Sequence, residues 1–274
     1  MGRAVIDESG YGHDTGAISQ ETPAPYDVLY ADEELLAINK PSGLVVHPTY
    51  KHPDGTLTDA IFAWSEAMGA PRPWLLHRLD KDTSGVTLFA RTEEARHALA
   101  RQFIQRMTHK RYLALVVWPD RLALSGEVDA PLWRDPLDRR RVIITPEPPG
   151  QAARTRYRAL AVSSPQANGK FALVLAEPVT GRTHQIRAHL TSLGAPLVGD
   201  VMYLPADSAI AALAPRVMLH AWKLTFRWPL YRPPRTITAP PPEDFLAVAR
   251  ALGLAHDHGA LEGLEALERG LDGI

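Results

Sequence analysis

Cysteine is absent from the 274-residue chain, which removes disulfides, thiolate zinc sites, iron–sulfur clusters and a cysteine nucleophile together. A chain without thiols suits a reducing compartment, and the cytoplasm is the expected location. No uninterrupted apolar run approaches the roughly 18 residues of a membrane span, so no membrane partner is expected. Asp7, Glu8 and Asp14 stand where a secretory signal would carry its apolar stretch. P-loop, GxGxxG and GxSxG patterns are missing, and so is any internal repeat. With no coiled-coil heptad, a monomer is the default.

What is present is ordinary globular material. Hydrophobic residues make up 45% and charged residues 22%, enough to build a buried core and too apolar for wholesale disorder. The formal net charge of −1 conceals a segregation. Residues 1–25 and 241–274 are acidic, whereas residues 26–240 hold 27 basic against 20 acidic side chains. The stretch 91–158 is denser still, with 14 basic against eight acidic. A phosphate-contacting face and a plain solvated surface with acidic ends both fit that distribution.

Residues 1–25 lack periodicity and read as a flexible leader. From Tyr26 short β-rich runs begin. Asp27 to Tyr30 and Leu35 to Asn39 flank an acidic turn, and Leu57 to Met68 is a helix with Thr56 or Thr58 as its cap. A strand at Val86 to Ala90 feeds a helix opened by Thr92, whose buried stripe is Ala95, Leu99, Phe103 and Met107. Further strands are expected at Arg111 to Val117, Thr155 to Leu160, Phe171 to Ala176 and Leu224 to Arg227. A Pro- and Arg-rich excursion covers Pro131 to Gly150. Arg182 to Leu193 forms a short helix ended by Gly194, and Glu243 to Leu252 and Ala260 to Leu271 read as appended helices. Strands outnumber helices and do not alternate with them regularly. The expected class is therefore α+β, with a mixed, mostly antiparallel sheet and flanking helices. The division is a leader over 1–25, a body over 26–240 and an acidic helical extension over 241–274.

Two stretches concentrate chemistry. His77-Arg78-Leu79-Asp80-Lys81-Asp82-Thr83-Ser84-Gly85 sets two carboxylates among three cations at the edge of a buried strand. That is a costly arrangement without a purpose. A carboxylate held beside a guanidinium is an ionised, positioned group, suited to act as nucleophile or general base. Thr180-Gly181-Arg182-Thr183-His184-Gln185-Ile186-Arg187-Ala188-His189 offers a helix start at Arg182 with free N–H groups for an anion. Arg187 lies deeper, able to meet a carboxylate from another segment. Lys110-Arg111-Tyr112 enters a strand, where the tyrosine is either a packing residue or a stacking platform for an unpaired base.

In order along the chain, HRLDKDTSG at 77–85, KRYLALV at 110–116 and TGRTHQIRAH at 180–189 resemble the RluA family of RNA pseudouridine synthases. NKPSGL at 39–44, Gly199-Asp200 with Tyr203, and Leu219-His220-Ala221 support the match, which spans about 26–240. The resemblance implies a pseudouridine synthase fold and isomerisation of uridine in structured RNA, ribosomal or transfer. The C1′–N1 bond breaks, the uracil turns and C1′ rejoins at C5, with neither cofactor nor metal. It implies Asp80 as nucleophile, Arg187 as its basic partner, and Tyr112 as the residue that stacks on the base and takes the C5 proton. Arg78 then helps hold the helix open around an extruded uridine, and Ile186 is the apolar neighbour of the site. His77, Lys110, Arg182, His184 and Gln185 complete the expected substrate contacts. Extrusion is cheapest from a loop, so the expected partner is an RNA stem-loop. Residues 1–25 are too few and too acidic for the S4 RNA-binding domain that some relatives carry.

Two rivals remain at this level. One is a non-catalytic RNA-binding protein that keeps the fold. The other is a metal-dependent hydrolase using His77, His184, His189 and His220 with Asp80 or Asp82. His184 and His189, five apart, sit about 140° from each other on a helix, poorly placed to share an ion.

Overall fold

Side-chain chemistry at three turns sets the first half of the chain. The computed structural model describes residues 26–146, 148–205 and 207–254, with 24 and 264 besides. The expected leader, save residue 24, and the expected helix at 260–271, save residue 264, lie outside the described residues. Strands β1 (Val28–Ala31) and β2 (Leu35–Lys40) form an antiparallel hairpin. Its turn is closed by Asp32, whose Oδ1 accepts from the amides of Glu34 at 2.8 Å and Leu35 at 2.7 Å. Helix α1 (Leu57–Ala67) starts at a full capping box. Thr56 is the cap, and Thr56 and Asp59 satisfy each other's free amides. After β3 (Trp74–Leu75) and β4 (Ser84–Ala90), Thr92 caps helix α2 (Glu93–Ile104).

Ala95 and Leu99 are buried on α2 as expected, but Met107 is 57% exposed. The helix stops at Ile104, and Arg106 takes a left-handed φ of 59°, which redirects the chain before Met107 can continue the apolar stripe. The remaining elements are β5 (His109–Val117), β6 (Ser125–Asp129), β7 (Leu132–Arg134), β8 (Val142–Ile144), β9 (Arg154–Val162) and β10 (Phe171–Pro178). They are followed by α3 (Gln185–Ser192), β11 (Leu219–Phe226), β12 (Arg235–Thr238) and α4 (Glu243–Ala251).

Among the described residues one ten-stranded sheet runs β1-β2-β4-β11-β5-β10-β9-β6, with β3 on β4 and β12 on β11. All its described pairings are antiparallel except β4 with β11. That parallel contact is brief, His220 beside Ser84 and Ala221 beside Gly85, and from Lys223 onward β11 pairs with β12 instead. It is also tight. A Cβ on Gly85, whose φ is +115°, would lie 2.2 Å from the Ala221 carbonyl oxygen, so the glycine that ends the first motif is required by strand packing. The Pro- and Arg-rich excursion is a separate two-stranded ribbon, β7 with β8.

Alternation along the strands sorts the core into faces. Leu113 and Leu115 of β5 join Leu173 and Leu175 of β10 on one face, whereas Ala114, Val116, Ala172 and Val174 join Ile186 and Leu190 of α3 on the other. In the other half-sheet, Leu57 and Ile61 of α1 pack on Leu36, Ile38 and Phe89, and Ala95 and Leu99 of α2 pack on Leu35, Val86 and Leu88. Tyr112 touches both the α1 and the α3 clusters, which places it where the two half-sheets meet.

The boundary expected at 240 does not separate α4 from the body. Phe245, Ala249 and Leu252 lie at helical spacing and are buried with Leu113, Leu173 and Trp222, and Leu264 joins the same cluster. Burying Phe245 alone contributes about 1.5–3 kcal/mol. Of the described acidic residues of this segment, Glu243 pairs with Arg250 at the surface and Asp244 turns inward to Arg216. No helix among the described residues is long and apolar enough to cross a membrane.

Candidate active site

A cavity of about 450 Å³ opens at the junction of the half-sheets, lined by the loop before β4, the start of β5 and the entry to α3. The loop before β4 is anchored before it can present anything. His77 stacks on Phe103 with ring centroids 5.0 Å apart, and its Nε2 accepts the Leu88 amide at 3.1 Å. That acceptor role needs a neutral ring, and burial, helped by the charge of Lys110, pushes the pKa of His77 down to about 3. Leu79 turns inward against α1, and the Thr83 amide closes a turn on the Asp80 carbonyl at 3.2 Å. Lys40, fully buried, spends its Nζ on the carbonyls of Pro41, Leu44 and Lys81 at 2.8, 2.9 and 3.0 Å. Burial lowers the Lys40 pKa to about 7, although the charges of Asp82 and Asp80 oppose the shift.

Held this way, Asp80 points into the cavity with its side chain 28% exposed. Arg187 Nη1 lies 3.7 Å from Asp80 Oδ2, and His184 Nε2 lies 3.9 Å from the same oxygen. The primary partner of Arg187 is a different acid. Its Nε and Nη2 donate to the two carboxylate oxygens of Asp200, both at 2.7 Å, and its guanidinium sits 5.1 Å from the Tyr203 ring centroid. Burial works against the charge of Arg187, and the bonds and charge of Asp200 with the charge of Asp80 outweigh it. The guanidinium is thus fixed on one edge and offers the other to Asp80. Gly199 makes room for this arrangement, because a Cβ there would lie 1.9 Å from the Arg216 carbonyl oxygen.

Tyr112 lines the cavity from β5, and burial first, then the Asp80 charge, raises its pKa and keeps it a neutral phenol. Ile186 is 5% exposed and joins the wall beside Arg187. Arg78 is exposed and donates to Thr183 Oγ1 at 3.3 Å, bridging two motif loops across the mouth. Lys110 donates to the Thr180 carbonyl at 2.9 Å, and burial, then the charge of Arg106, lowers its pKa to about 8. Arg182 donates to the Ala152 carbonyl at 3.1 Å at the rim.

Three expectations change here. The helix begins at Gln185, not Arg182, because His184 takes a left-handed φ of 50° and swings its ring toward Asp80. Gln185 cannot serve as a substrate contact. Its Oε1 accepts from Thr180 Oγ1 at 2.6 Å and the Arg182 amide at 3.0 Å, and its Nε2 donates to the Arg154 carbonyl at 2.8 Å and Thr155 Oγ1 at 3.0 Å. With every strong bonding position engaged and 4% exposure, it staples the loop to β9. His77 is likewise a wall and anchor whose Nε2 is already spent.

The histidines needed by a metal hydrolase do not converge. His189 is bonded to Thr155 and Ala130, and His220 to Ser84 and Ala239. Among the described residues no group of three His, Cys, Asp or Glu side chains could hold an ion. Sequence reasoning gave no role to Lys40, Asp200 or Tyr203. The available signal was their place in the supporting motif matches at 39–44 and 199–203, whose physical reason appears only here, since a buried cation demands a carboxylate of its own.

Five cations, Arg78, Arg106, Lys110, Arg182 and Arg187, surround the cavity, and Asp80 is the one carboxylate among its described lining residues. A ten-stranded sheet with this cavity at its seam is the architecture of a pseudouridine synthase domain. The human RNA pseudouridylate synthase domain containing 4 matches it at a TM-score of 0.67 with 27% identity, over 84% of this chain and 94% of that one. The sequence profile described as RNA pseudouridylate synthase matches residues 34–192. The ribosomal large subunit pseudouridine synthase D of Xylella fastidiosa is 42% identical over 249 residues, 87% of this chain and 72% of the relative. The protein of the same name from Nitrosomonas europaea is 38% identical over 239 residues, 85% and 67% of the two chains. The chain belongs to the RNA pseudouridylate synthase family, in the RluA group that its motifs indicated. It is an isomerase acting on uridine in RNA.

Proposed function

We propose that the enzyme converts a uridine of large-subunit ribosomal RNA, presented in a stem-loop, to pseudouridine, with Asp80 as nucleophile. The observation that carries this reading is the solitary Asp80 carboxylate, set 3.7 Å from a buried guanidinium in a cavity otherwise ringed by cations. Relatives at 38–42% identity that bear the ribosomal name supply the choice of RNA. A ribosomal substrate puts the reaction in the cytoplasm. A monomer is proposed as the acting species.

The exposed Arg78, with the half-buried Lys110 adding to the positive field at the rim, draws in the phosphate backbone, and Arg78 occupies the space left when the uridine turns out. Inside, the base stacks on Tyr112 with Ile186 beside it. Asp80 attacks the nucleoside, the C1′–N1 bond breaks and its electron pair leaves on the uracil. The ring turns, C5 bonds to C1′, the bond to Asp80 breaks and returns the free carboxylate, the C5 proton is removed and N1 takes up a proton, so atoms and charge balance without an added reagent. Arg187 holds the carboxylate on line and keeps the departing uracil's negative charge in a cationic field. The charge of Asp80 opposes ionisation of the Tyr112 phenol, so once that charge is consumed in the covalent intermediate the phenolate, the form able to take the C5 proton, is easier to reach.

The test incubates the protein with ribosomal RNA and no added cofactor, and maps pseudouridine by chemical adduct and primer stop. A defined large-subunit site is expected with the wild type and none with Asp80→Asn. Turnover by Asp80→Asn would refute the assignment.

A further inference from the structure

The loop that carries Asp80 is gripped at two successive carbonyls by two buried cations, Lys40 at the end of β2 and Arg216 just before β11, the strands that flank β4. Lys40 takes the Lys81 carbonyl, as described. Arg216 takes the next one, its Nη1 lying 3.2 Å from the Asp82 carbonyl oxygen. Nη1 also donates to the carbonyls of Val217 at 3.0 Å and Leu219 at 3.3 Å, and Nη2 to Ser84 Oγ at 3.3 Å. Ser84 in turn meets His220 Nδ1 at 2.9 Å, and His220 Nε2 reaches the Ala239 carbonyl at 3.0 Å. The side chain of Arg216 is only 7% exposed, so its charge needs a counter-ion. Asp244, in the first turn of α4, provides it through two bonds, Nε to Oδ2 at 2.6 Å and Nη2 to Oδ1 at 3.0 Å.

We infer that Asp244 and Arg216 are positioning residues for the reaction, through which the C-terminal helix fixes the loop that aims Asp80. The inference rests on the reading of Asp80 as the reacting acid. Neither residue lines the cavity that takes the reacting uridine in this reading. Removing the Asp244 charge leaves Arg216 as a buried cation without a counter-ion. It is then drawn toward water, and its hold on the Asp82 carbonyl loosens. Glu243, its neighbour on the same turn, pairs at the surface with Arg250 and has no link to the loop, so it is the internal control.

The test is single-turnover kinetics on the RNA mapped above, recording rate constant, amplitude, RNA dissociation constant and melting temperature. Asp244→Asn is expected to slow the rate constant by about ten- to a hundredfold, the order that an ångström of misalignment costs. Amplitude and RNA affinity stay at wild-type values. Arg216→Met should slow it at least as much, Asp244→Glu should restore most of the rate, and Glu243→Gln should match the wild type. A merely structural role would lower amplitude and melting temperature and leave the rate constant of the folded enzyme unchanged, and that result overturns the inference. So does a fall in RNA affinity equal to the fall in rate. Asp80→Asn in the same series separates the two claims. If it is inactive while Asp244→Asn runs at full rate, the clamp fails alone. If it is active, the assignment of Asp80 fails and the clamp falls with it.

Discussion

Asp200→Asn is the perturbation that most directly probes how the site is held. In the wild type, Asp200 is wholly buried and accepts two bonds of 2.7 Å from Arg187, whose third nitrogen faces Asp80 at 3.7 Å. The amide keeps one acceptor and presents an N–H₂ group to the other guanidinium nitrogen. Breaking one partner of a buried pair costs about 3–5 kcal/mol. The acceptor that survives in asparagine puts this variant near the lower end, about 3 kcal/mol. At roughly 2–4 °C per kcal/mol for large domains, the melting temperature should drop by about 6–12 °C. A second consequence concerns the chemistry. With its neutralising partner gone, the guanidinium moves about 1 Å toward Asp80, to the 2.7–2.9 Å of a direct ion pair. The carboxylate is then locked instead of presented, and turnover should fall by about a hundredfold. Urea unfolding followed by tryptophan fluorescence gives the first quantity, and single-turnover pseudouridine formation gives the second. A variant as stable and as fast as the wild type would refute the view that Asp200 governs Arg187.

Two further outcomes follow from the geometry. Tyr112→Phe keeps the stacking face but loses the hydroxyl, so the RNA dissociation constant should hold while proton removal slows by about 10²-fold or more. Replacing the target C5 hydrogen with deuterium should then expose a larger isotope effect. Stability should also depend on pH through His220, which is fully buried and whose pKa burial lowers to about 4. The ring is neutral in the fold but binds a proton near pH 6.5 once the chain unfolds. Its contribution is therefore complete above that pH and is lost as pH falls toward 4. By pH 5 the loss is about 2 kcal/mol from this one ring, measurable by urea titration at pH 7 and pH 5. A flat profile would mean that His220 is already charged in the fold.

The elements legible in the sequence were those whose signal is local. The cap at Thr92, a threonine cap at Thr56 or Thr58, and the apolar β-rich runs of β5 and β10 all announce themselves within a few residues. Met107 was misplaced because a left-handed Arg106 ends the helix, and no residue type there demands that turn. The start of α3 was misplaced for the same reason at His184. At the site, the motifs pointed to Asp80, Tyr112 and Arg187, and the structure brings all three to one cavity. Which motif residues face substrate and which face inward could not be read. Gln185 stands next to Arg187 in a run dense with polar groups, yet only the sheet beneath shows that its amide is consumed by Arg154, Thr155, Thr180 and Arg182. The acidic C-terminal segment misled in the opposite sense. Net charge drew attention from the Phe245, Ala249 and Leu252 stripe that makes α4 part of the core.

Strand β11 lies at the centre of the sheet, between β4 and β5, although nearly every other strand precedes it in the chain. During synthesis, therefore, the segments bearing Asp80 and Tyr112 emerge long before the strip that joins them. A truncated product ending near residue 192, where the family match ends, would hold the acid, the tyrosine and Arg187 and still have two unjoined half-sheets. The seam that brings acid and tyrosine together can therefore close only after β11 has been made.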